Sequence, residues 1–254
     1  MSFSDFVQKQ MMASTELPLV HTTEYQHLNS IAGTHTLAAN HCKVFGEPLL
    51  YLFYGRPSYR DPGQVTPMRD VSLYPICFVF RPGTVCKKAK RLFPFDSGAS
   101  QNGLYEPAVN RSDAIALYSV AAVIESARRI SKCFFDTDEK YLAHDPVAGL
   151  VFPTTDDEAR HYYDLINGGG DPKCDDRCSA IELQVAEDLD LRHDLMAVVL
   201  PTCFLEDPVL LEAVVKDWDA VPLTYPADKG LRPLEFHMAI RIKIRDYYER
   251  EGLL

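Results

Sequence analysis

The sequence lacks the short motifs that define several large enzyme classes. It contains no GxGxxG, no GxxxxGK[ST], no HExxH and no GxSxG. These motifs supply phosphate-binding loops, metal ligands or an activated serine. Their absence removes the main support for Rossmann oxidoreductases, P-loop NTPases, zincins and α/β-hydrolases.

Long apolar runs and a recognisable secretory leader are also missing. No stretch approaches the ~18 uninterrupted apolar residues that a membrane span needs. The opening MSFSDFVQKQMMASTELP has no basic region followed by an apolar run, which argues against a secretory signal. The 7 cysteines are odd in number and irregularly spaced, which favours a reducing cytosol over a disulfide framework. We therefore expect a cytoplasmic protein with no membrane partner.

Positive charge is in deficit, since 26 Lys+Arg face 36 Asp+Glu and the net charge is −10. Such a balance argues against a protein that coats nucleic acid non-specifically, because that binding depends on phosphate neutralisation. The segment 80–91 differs from this acidic average, because it contains no acidic residue and carries Arg81, Lys87, Lys88, Lys90 and Arg91. This segment predicts either a solvated face or a local site for single-stranded nucleic acid.

Strand and helix patterns are mixed without a regular βαβ rhythm, so we expect an α+β fold. No repeat or long linker divides the chain, and its length allows one domain over residues 1–254, with C-terminal helices from about 208 to 254 packed on it. A Thr23/Gln26 capping box and Gly33 predict a short helix between them. Apolar runs predict strands at 17–20, 49–54, 75–80, 181–185 and 196–200, and helical periodicity predicts helices at 114–130 (capped by Ser112 or Asp113), 156–166, 208–218 and 234–249.

Two segments beside predicted strands carry residues suited to ligand contacts. His21, Thr22 and Thr23 follow the first strand, where a ring nitrogen and hydroxyls can hold a ribose or an amide; the alternative is a core histidine beside a helix cap. Arg56 follows Tyr54 at the end of the most apolar strand. Its guanidinium matches phosphate bidentately, and the alternative is a surface arginine in a tight turn.

The segment 179–185 alternates with period two and puts Glu182 and Gln184 on one face of a strand. This pattern has two explanations: the face is exposed to solvent, or it forms the edge of an active site. The preceding glycine-rich loop 168–178 favours an active-site edge. Cys174 and Cys178 lie in that loop, and we see no second ligand pair at comparable spacing. We therefore expect no metal site.

Taken in order, these segments resemble the ADP-ribosyltransferase (ART) superfamily, in particular the DarT-type branch, whose members modify DNA bases. HTTEYQHLNSIAGTHTL is similar to that branch's histidine–threonine motif and following helix. LLYLFYGRPSYR resembles its strand that ends in an arginine, and DRCSAIELQVAEDLDLRHDLMAVVLP resembles its Ala-x-Glu strand. The resemblance covers roughly the N-terminal third and residues 170–201.

The resemblance implies an ART-like fold, in which two packed central β-sheets flanked by helices form an NAD cleft. It implies an NAD-dependent mono-ADP-ribosyltransferase, a glycosyltransferase whose acceptor is a nucleic-acid base or another group. Glu182 and Arg56 are the implied catalytic residues. Gln184 follows Glu182 in the reverse of the superfamily's Glu/Gln-x-Glu order, which leaves the acceptor open among DNA, RNA, protein and water. The implied NAD contacts are His21, Thr22, Thr23, Tyr54, Arg56 and Gln184.

The implied chemistry suits a single carboxylate. Breaking the nicotinamide–ribose bond develops positive charge on the ribose, as in glycosidases, and a carboxylate about 4 Å away contributes about 4 kcal/mol at an effective dielectric of 20. Nicotinamide leaves as a neutral molecule, so no metal is required. The alternatives are an NAD glycohydrolase and a catalytically silent ART-like module that binds a nucleotide or a partner. The family also suggests a toxin with an antitoxin partner.

Overall fold

The protein is described by a computed structural model that covers residues 1–58, 67–106, 108–109, 114–170, 174–226 and 228–254. Strands form a central sheet and helices surround it, which confirms the α+β class. The strands within these residues are β1 (Leu19–Glu24), β2 (Thr36–Leu37), β3 (Asn40–Cys42), β4 (Glu47–Tyr54), β5 (Pro75–Phe80), β6 (Ala89–Phe93), β7 (Glu182–Val185), β8 (Leu189–Asp190), β9 (Leu195–Pro201) and β10 (Val221–Tyr225).

The α-helices are mostly short. In chain order they are α1 (Phe3–Gln8), α2 (Leu28–Thr34), α3 (Pro82–Lys87), α4 (Ser97–Gln101), α5 (Ala114–Leu117), α6 (Ile124–Phe135), α7 (Asp138–Ala143), α8 (Asp157–Asp164), α9 (Leu191–Asp194), α10 (Pro208–Glu212) and α11 (Pro233–Arg250). Single 3₁₀ or π turns extend or connect them at Tyr25–His27, Val71–Leu73, Leu165–Gly169, Asp176–Ser179, Thr202–Glu206 and Ala213–Asp217.

The main sheet follows one hydrogen-bonded path, in the order β10-β9-β5-β1-β4-β7-β6, with β3 paired to β4. β10 and β9 are parallel and the other neighbours are antiparallel, while β2 and β8 form a separate pair. β1 pairs with β5 along its whole length but with β4 only at Leu19–Tyr54 and Val20–Phe53. Two packed central sheets are therefore not confirmed, because this short ladder joins the described strands into one hydrogen-bonded path.

The first predicted strand is longer than the sequence suggested. His21, Thr22 and Thr23 lie inside β1, since its pairing with β5 continues to Glu24. The Thr23/Gln26 capping box is wrong: Glu24 precedes the 3₁₀ turn without a side-chain cap, and the Gln26 amide donates to the Glu24 carboxylate.

The predicted helix at 114–130 is interrupted. α5 and α6 are separated at Val120, whose N–H donates to the Leu92 carbonyl at 3.0 Å in an isolated bridge to β6. The Val120 N–H therefore bonds to a distant segment instead of donating within a continuous helix. The predicted cap at residues 112 and 113 lies outside the described residues.

The apolar strands and the last helix are confirmed. β5 matches its prediction residue for residue, and β4, β7 and β9 differ by one or two positions at their ends. α11 presents Phe236, Ile240 and Ile244 to the core. Within the described ranges, no helix has the length and apolar content needed to cross a membrane.

Candidate functional site

Glu182 begins β7, and its carboxyl group is held by a neighbouring element. The Ser97 main-chain N–H donates to Oε2 at 2.9 Å, and the Ser97 hydroxyl donates to Oε1 at 2.7 Å. Gln184 Nε2 donates to the same Oε1 at 2.7 Å. Glu182 is only 1 % exposed, so these donors fix the orientation of a buried carboxyl group.

Ser97 reaches Glu182 because a helix begins directly after β6. Asp96 caps α4 by accepting the Ala99 N–H at 2.9 Å. The N–H groups of a first helical turn have no partner within the helix, so the Ser97 N–H is available to Glu182. The Asp96–Ser97–Gly98 sequence is a cap signal, but it does not reveal which strand the cap faces.

The environment of Glu182 favours its protonated form. Burial raises the pKa, and the Asp96 carboxylate raises it further, while the hydrogen bonds from Gln184 and Ser97 lower it; the pKa is about 8. A cation placed beside this carboxyl group would favour the ionised form. Glu182 is thus a group whose charge depends on what binds next to it.

His21 occupies the place where β1 and β4 separate. Its Nδ1 lies 2.8 Å from the Tyr51 carbonyl oxygen. A carbonyl oxygen only accepts, so Nδ1 carries the hydrogen and Nε2 carries the lone pair. Burial lowers the pKa of His21, which keeps the ring neutral. His21 therefore offers an acceptor for a hydroxyl or amide donor.

A groove of about 550 Å³ lies beside His21, between β1, α2 and the chain near β3 and β8. This volume is typical of small-molecule sites. The described lining contains no Lys or Arg, so it suits a sugar or an amide better than a phosphate. Its polar side chains include His21, Thr23, Ser30, Thr34, Thr36 and Asp188.

Glu182 and the His21 groove lie on opposite faces of the sheet. Val20 pairs with Phe53, and Phe53 pairs with Glu182, so these three side chains share one face. Because successive side chains of a strand point to opposite faces, His21 and Thr23 project from the other face, and Thr22 projects from the same face as Val20.

Tyr54 is part of the core. Its hydroxyl accepts the Leu17 N–H at 3.1 Å, and its ring centroid lies 5.8 Å from that of Tyr141. The side chain is buried, with the Leu17 segment and Tyr141 around it, so the implied contact of Tyr54 with NAD stays a prediction.

The described hydrogen bonds and ion pairs of Arg56 involve neither Glu182 nor a residue of the groove lining. Gly55 has φ +69°, and a Cβ there would lie 2.5 Å from Leu17 Cδ1, so this turn requires glycine. The turn directs Arg56 inward, where Nη2 donates to the Asp176 carbonyl at 2.7 Å and to the Ser179 hydroxyl. The predicted site residues therefore occupy three places: Glu182 with Gln184, the His21 groove, and the Arg56 pocket.

The predicted basic segment is partly neutralised. Lys90 and Arg91 both pair with Glu47, and Lys88 Nζ lies 3.7 Å from a Glu187 oxygen. Arg91 Nη1 also donates to Gln184 Oε1 at 3.2 Å. Arg81 and Lys87 are exposed. The five basic side chains thus do not form one surface of unpaired charge.

Cys174 and Cys178 are not joined in a disulfide. A hydrogen bond with Cys174 and burial raise the pKa of Cys178, which makes it a poor thiolate ligand. Across the part of the chain that the structure describes, no group of three or more His, Cys, Asp or Glu side chains could hold a metal ion. Residues 171–173 of this loop lie outside that part.

No family model, no curated protein and no solved structure matches the chain.

Proposed function

We propose that this protein is an NAD-dependent mono-ADP-ribosyltransferase, which breaks the nicotinamide–ribose bond and transfers ADP-ribose to an acceptor. The observation that carries the proposal is the Glu182 carboxyl group, oriented by Ser97 and Gln184 in the strand beside β4. The local sequence around it is also the segment that resembles the catalytic strand of the family.

Glu182 has the property that this reaction needs. Its pKa is raised chiefly by burial, so the positively charged nicotinamide ring of NAD would promote ionisation. The carboxylate then stabilises the oxocarbenium-like ribose as nicotinamide departs with the electron pair of the broken bond. Ser97 and Gln184 keep the carboxylate oriented, which avoids reorganisation during the reaction.

The His21 groove supplies the second element of the proposal. Nε2 accepts a hydrogen bond from a ribose hydroxyl or from the carboxamide, and the hydroxyl-rich lining binds the rest of the nucleoside. For one NAD molecule to reach both His21 and Glu182, it enters where β1 and β4 separate, next to the Tyr51 carbonyl.

Nicotinamide release tests this function. Wild type, Glu182→Gln and Glu187→Gln are incubated with labelled NAD alone, with single-stranded DNA, with RNA and with a protein extract. We expect release from wild type and Glu187→Gln and at least a hundredfold less from Glu182→Gln. Glu187 is a matched control because it is an exposed carboxylate close to the end of the same strand.

The acceptor follows from the products. Label that survives protease and is lost with nuclease assigns a nucleic-acid acceptor, and free ADP-ribose without an acceptor assigns an NAD glycohydrolase. Release of no nicotinamide under any condition would overturn both enzymatic functions. A toxin role, a cytoplasmic location and an antitoxin partner belong to the same proposal, and growth arrest on expression of wild type but not of Glu182→Gln supports it.

A catalytically silent nucleotide-binding module is the second candidate. It is favoured by the near-complete burial of Glu182 and by the three internal donors on its oxygens. This candidate predicts NAD binding that Glu182→Gln leaves unchanged, with no nicotinamide released.

A further inference from the structure

One buried and one partly buried guanidinium group share one carboxylate at the end of β4. Arg56 is 2 % exposed, and its Nη1 lies 3.5 Å from Asp176 Oδ2. Arg241 of α11 donates to the same oxygen and, through Nη2, to the Leu142 carbonyl at 2.7 Å. Asp176 thus joins the turn after β4 to the C-terminal helix.

The charges of this cluster do not balance. Burial opposes ionisation of Asp176, yet the Arg56 and Arg241 guanidiniums bring its pKa below the usual range, so it carries one negative charge against two positive ones. The neighbouring His144 and His237 add none, because burial lowers the pKa of each to about 4. A buried excess of positive charge is costly unless an anion compensates it.

Arg56 and Arg241 both line one cavity. Its volume is about 250 Å³, and it is bordered by the turn after β4, the end of α7 and one side of α11. Arg56 and Arg241 form its polar wall, with Arg245 at the exposed rim, where Glu249 pairs with it at 3.0 Å. Within the described residues, Arg56 Nε is buried and donates no hydrogen bond.

The rest of the cavity is apolar. Leu142, Met238 and Ile242 contribute to its lining, and Met238 and Ile242 are about half exposed on α11. An inorganic ion would compensate the charge but would leave this wall in contact with water. A molecule with an acidic group and an apolar chain complements both the guanidinium groups and the apolar wall.

We propose that this cavity binds a small organic anion, with its carboxylate or phosphate group on Arg241, next to the buried Arg56, and its apolar body against Leu142, Met238 and Ile242. The cavity shares no lining residue with the His21 groove and lies after the last residue of β4, whereas the groove lies beside its middle. It is therefore a separate site, and its occupant ties α11 to the sheet.

Calorimetric titration of the full chain tests the site with four probes: hexanoate, hexyl phosphate, the neutral hexanamide, and inorganic phosphate. We expect one of the two hexyl anions to bind at least tenfold more tightly than both hexanamide and inorganic phosphate, and the better anion identifies the acidic group. Equal affinity for hexanamide, or no binding of either hexyl anion, would overturn the proposal.

Variants locate the binding. Arg245→Gln and Met238→Glu change exposed residues at the rim of the cavity. Each is expected to lower the affinity for the better anion at least fivefold. Arg250→Gln is the matched control, because Arg250 is on the same helix, pairs with Glu251 and is exposed to 57 %, against 55 % for Arg245. An equal loss in Arg250→Gln would overturn the assignment to this cavity.

Competition with NAD separates this proposal from the proposed function. We expect the affinity for the anion to be unchanged when NAD is present and in Glu182→Gln, whether or not nicotinamide is released. Displacement of the anion by NAD would overturn the claim of a separate site, because the cavity would then belong to the NAD site.

Discussion

The imidazole of His21 and the main-chain carbonyl of Tyr51 are joined at 2.8 Å across the point where β1 leaves β4. In a regular antiparallel ladder, a main-chain N–H would occupy that carbonyl. The side chain satisfies the carbonyl instead, and the same bond fixes the tautomer of the ring. Nε2 is thereby the acceptor that His21 brings to the groove.

Replacing His21 should weaken ligand binding in the groove. His21→Ala removes the Nε2 acceptor, and a single neutral hydrogen bond contributes about 0.5–1.5 kcal/mol, so we expect the dissociation constant for NAD to rise about threefold to tenfold by calorimetry. His161→Ala, at an exposed position on α8, is the control. Unchanged affinity in His21→Ala would remove this histidine from the site.

Stability should depend on pH through Glu182. Its folded-state pKa is raised above the usual value of 4.5, to about 8. Its contribution to the free energy of unfolding is therefore fully present at low pH and is lost as pH rises between these two values. In this interval the free energy of unfolding falls by at most about 1.4 kcal/mol per pH unit. In Glu182→Gln the free energy of unfolding should lack this pH dependence, because glutamine does not titrate.

The measurement is urea unfolding at pH 5 and pH 8.5, followed by the fluorescence of Trp218, which is the single tryptophan and is buried. Glu187→Gln should retain the wild-type pH dependence. An identical dependence in wild type and Glu182→Gln would contradict the raised pKa.

Nicotinamide release should increase with pH if Glu182 acts in its ionised form. Because burial raises its pKa to about 8 in the free protein, we expect kcat/KM to rise between pH 6 and 8 and then to level off, after subtraction of the blank without enzyme. A flat profile, or one that falls over this interval, would argue against an ionised Glu182 in the rate-limiting step.

Gly55 should not tolerate a side chain. Its φ of +69° and the 2.5 Å distance that would separate an alanine Cβ from Leu17 Cδ1 predict that Gly55→Ala destabilises the protein by about 1–3 kcal/mol. Gly83→Ala is the control, because a Cβ at Gly83 meets no atom within 4 Å and its φ is ordinary. Equal unfolding midpoints in urea for the two variants would contradict the strain.

Asp176 should be far more important than an exposed aspartate in an ion pair. Asp176→Asn leaves Arg56 and Arg241 without their shared charge, and breaking a buried pair costs about 3–5 kcal/mol. Asp157→Asn removes the exposed partner of Arg160 and should have a much smaller effect. The comparison uses urea unfolding of both variants, and similar losses would show that the Asp176 cluster is not a structural anchor.

Local patterns identified the elements whose formation depends on neighbours in the chain. The apolar run at β5 and the periodicity of α11 were sufficient because both elements bury one continuous set of side chains. Prediction failed at Val120, where a hydrogen bond to Leu92 interrupts a helical pattern, and at His21, where pairing with β5 extends a strand. Those partners are distant in sequence, so no local pattern contains them.

The sequence by itself determined the α+β class, the acidic surface balance and the alternation that places Glu182 and Gln184 on one side of a strand. The tertiary structure alone decided what surrounds them: the Ser97 donors on Glu182, the groove beside His21, and the turn at Gly55 that sends Arg56 to Asp176 and Arg241. The reason is physical, since backbone periodicity is a local property, whereas burial, charge compensation and hydrogen-bond partners arise only when distant segments meet.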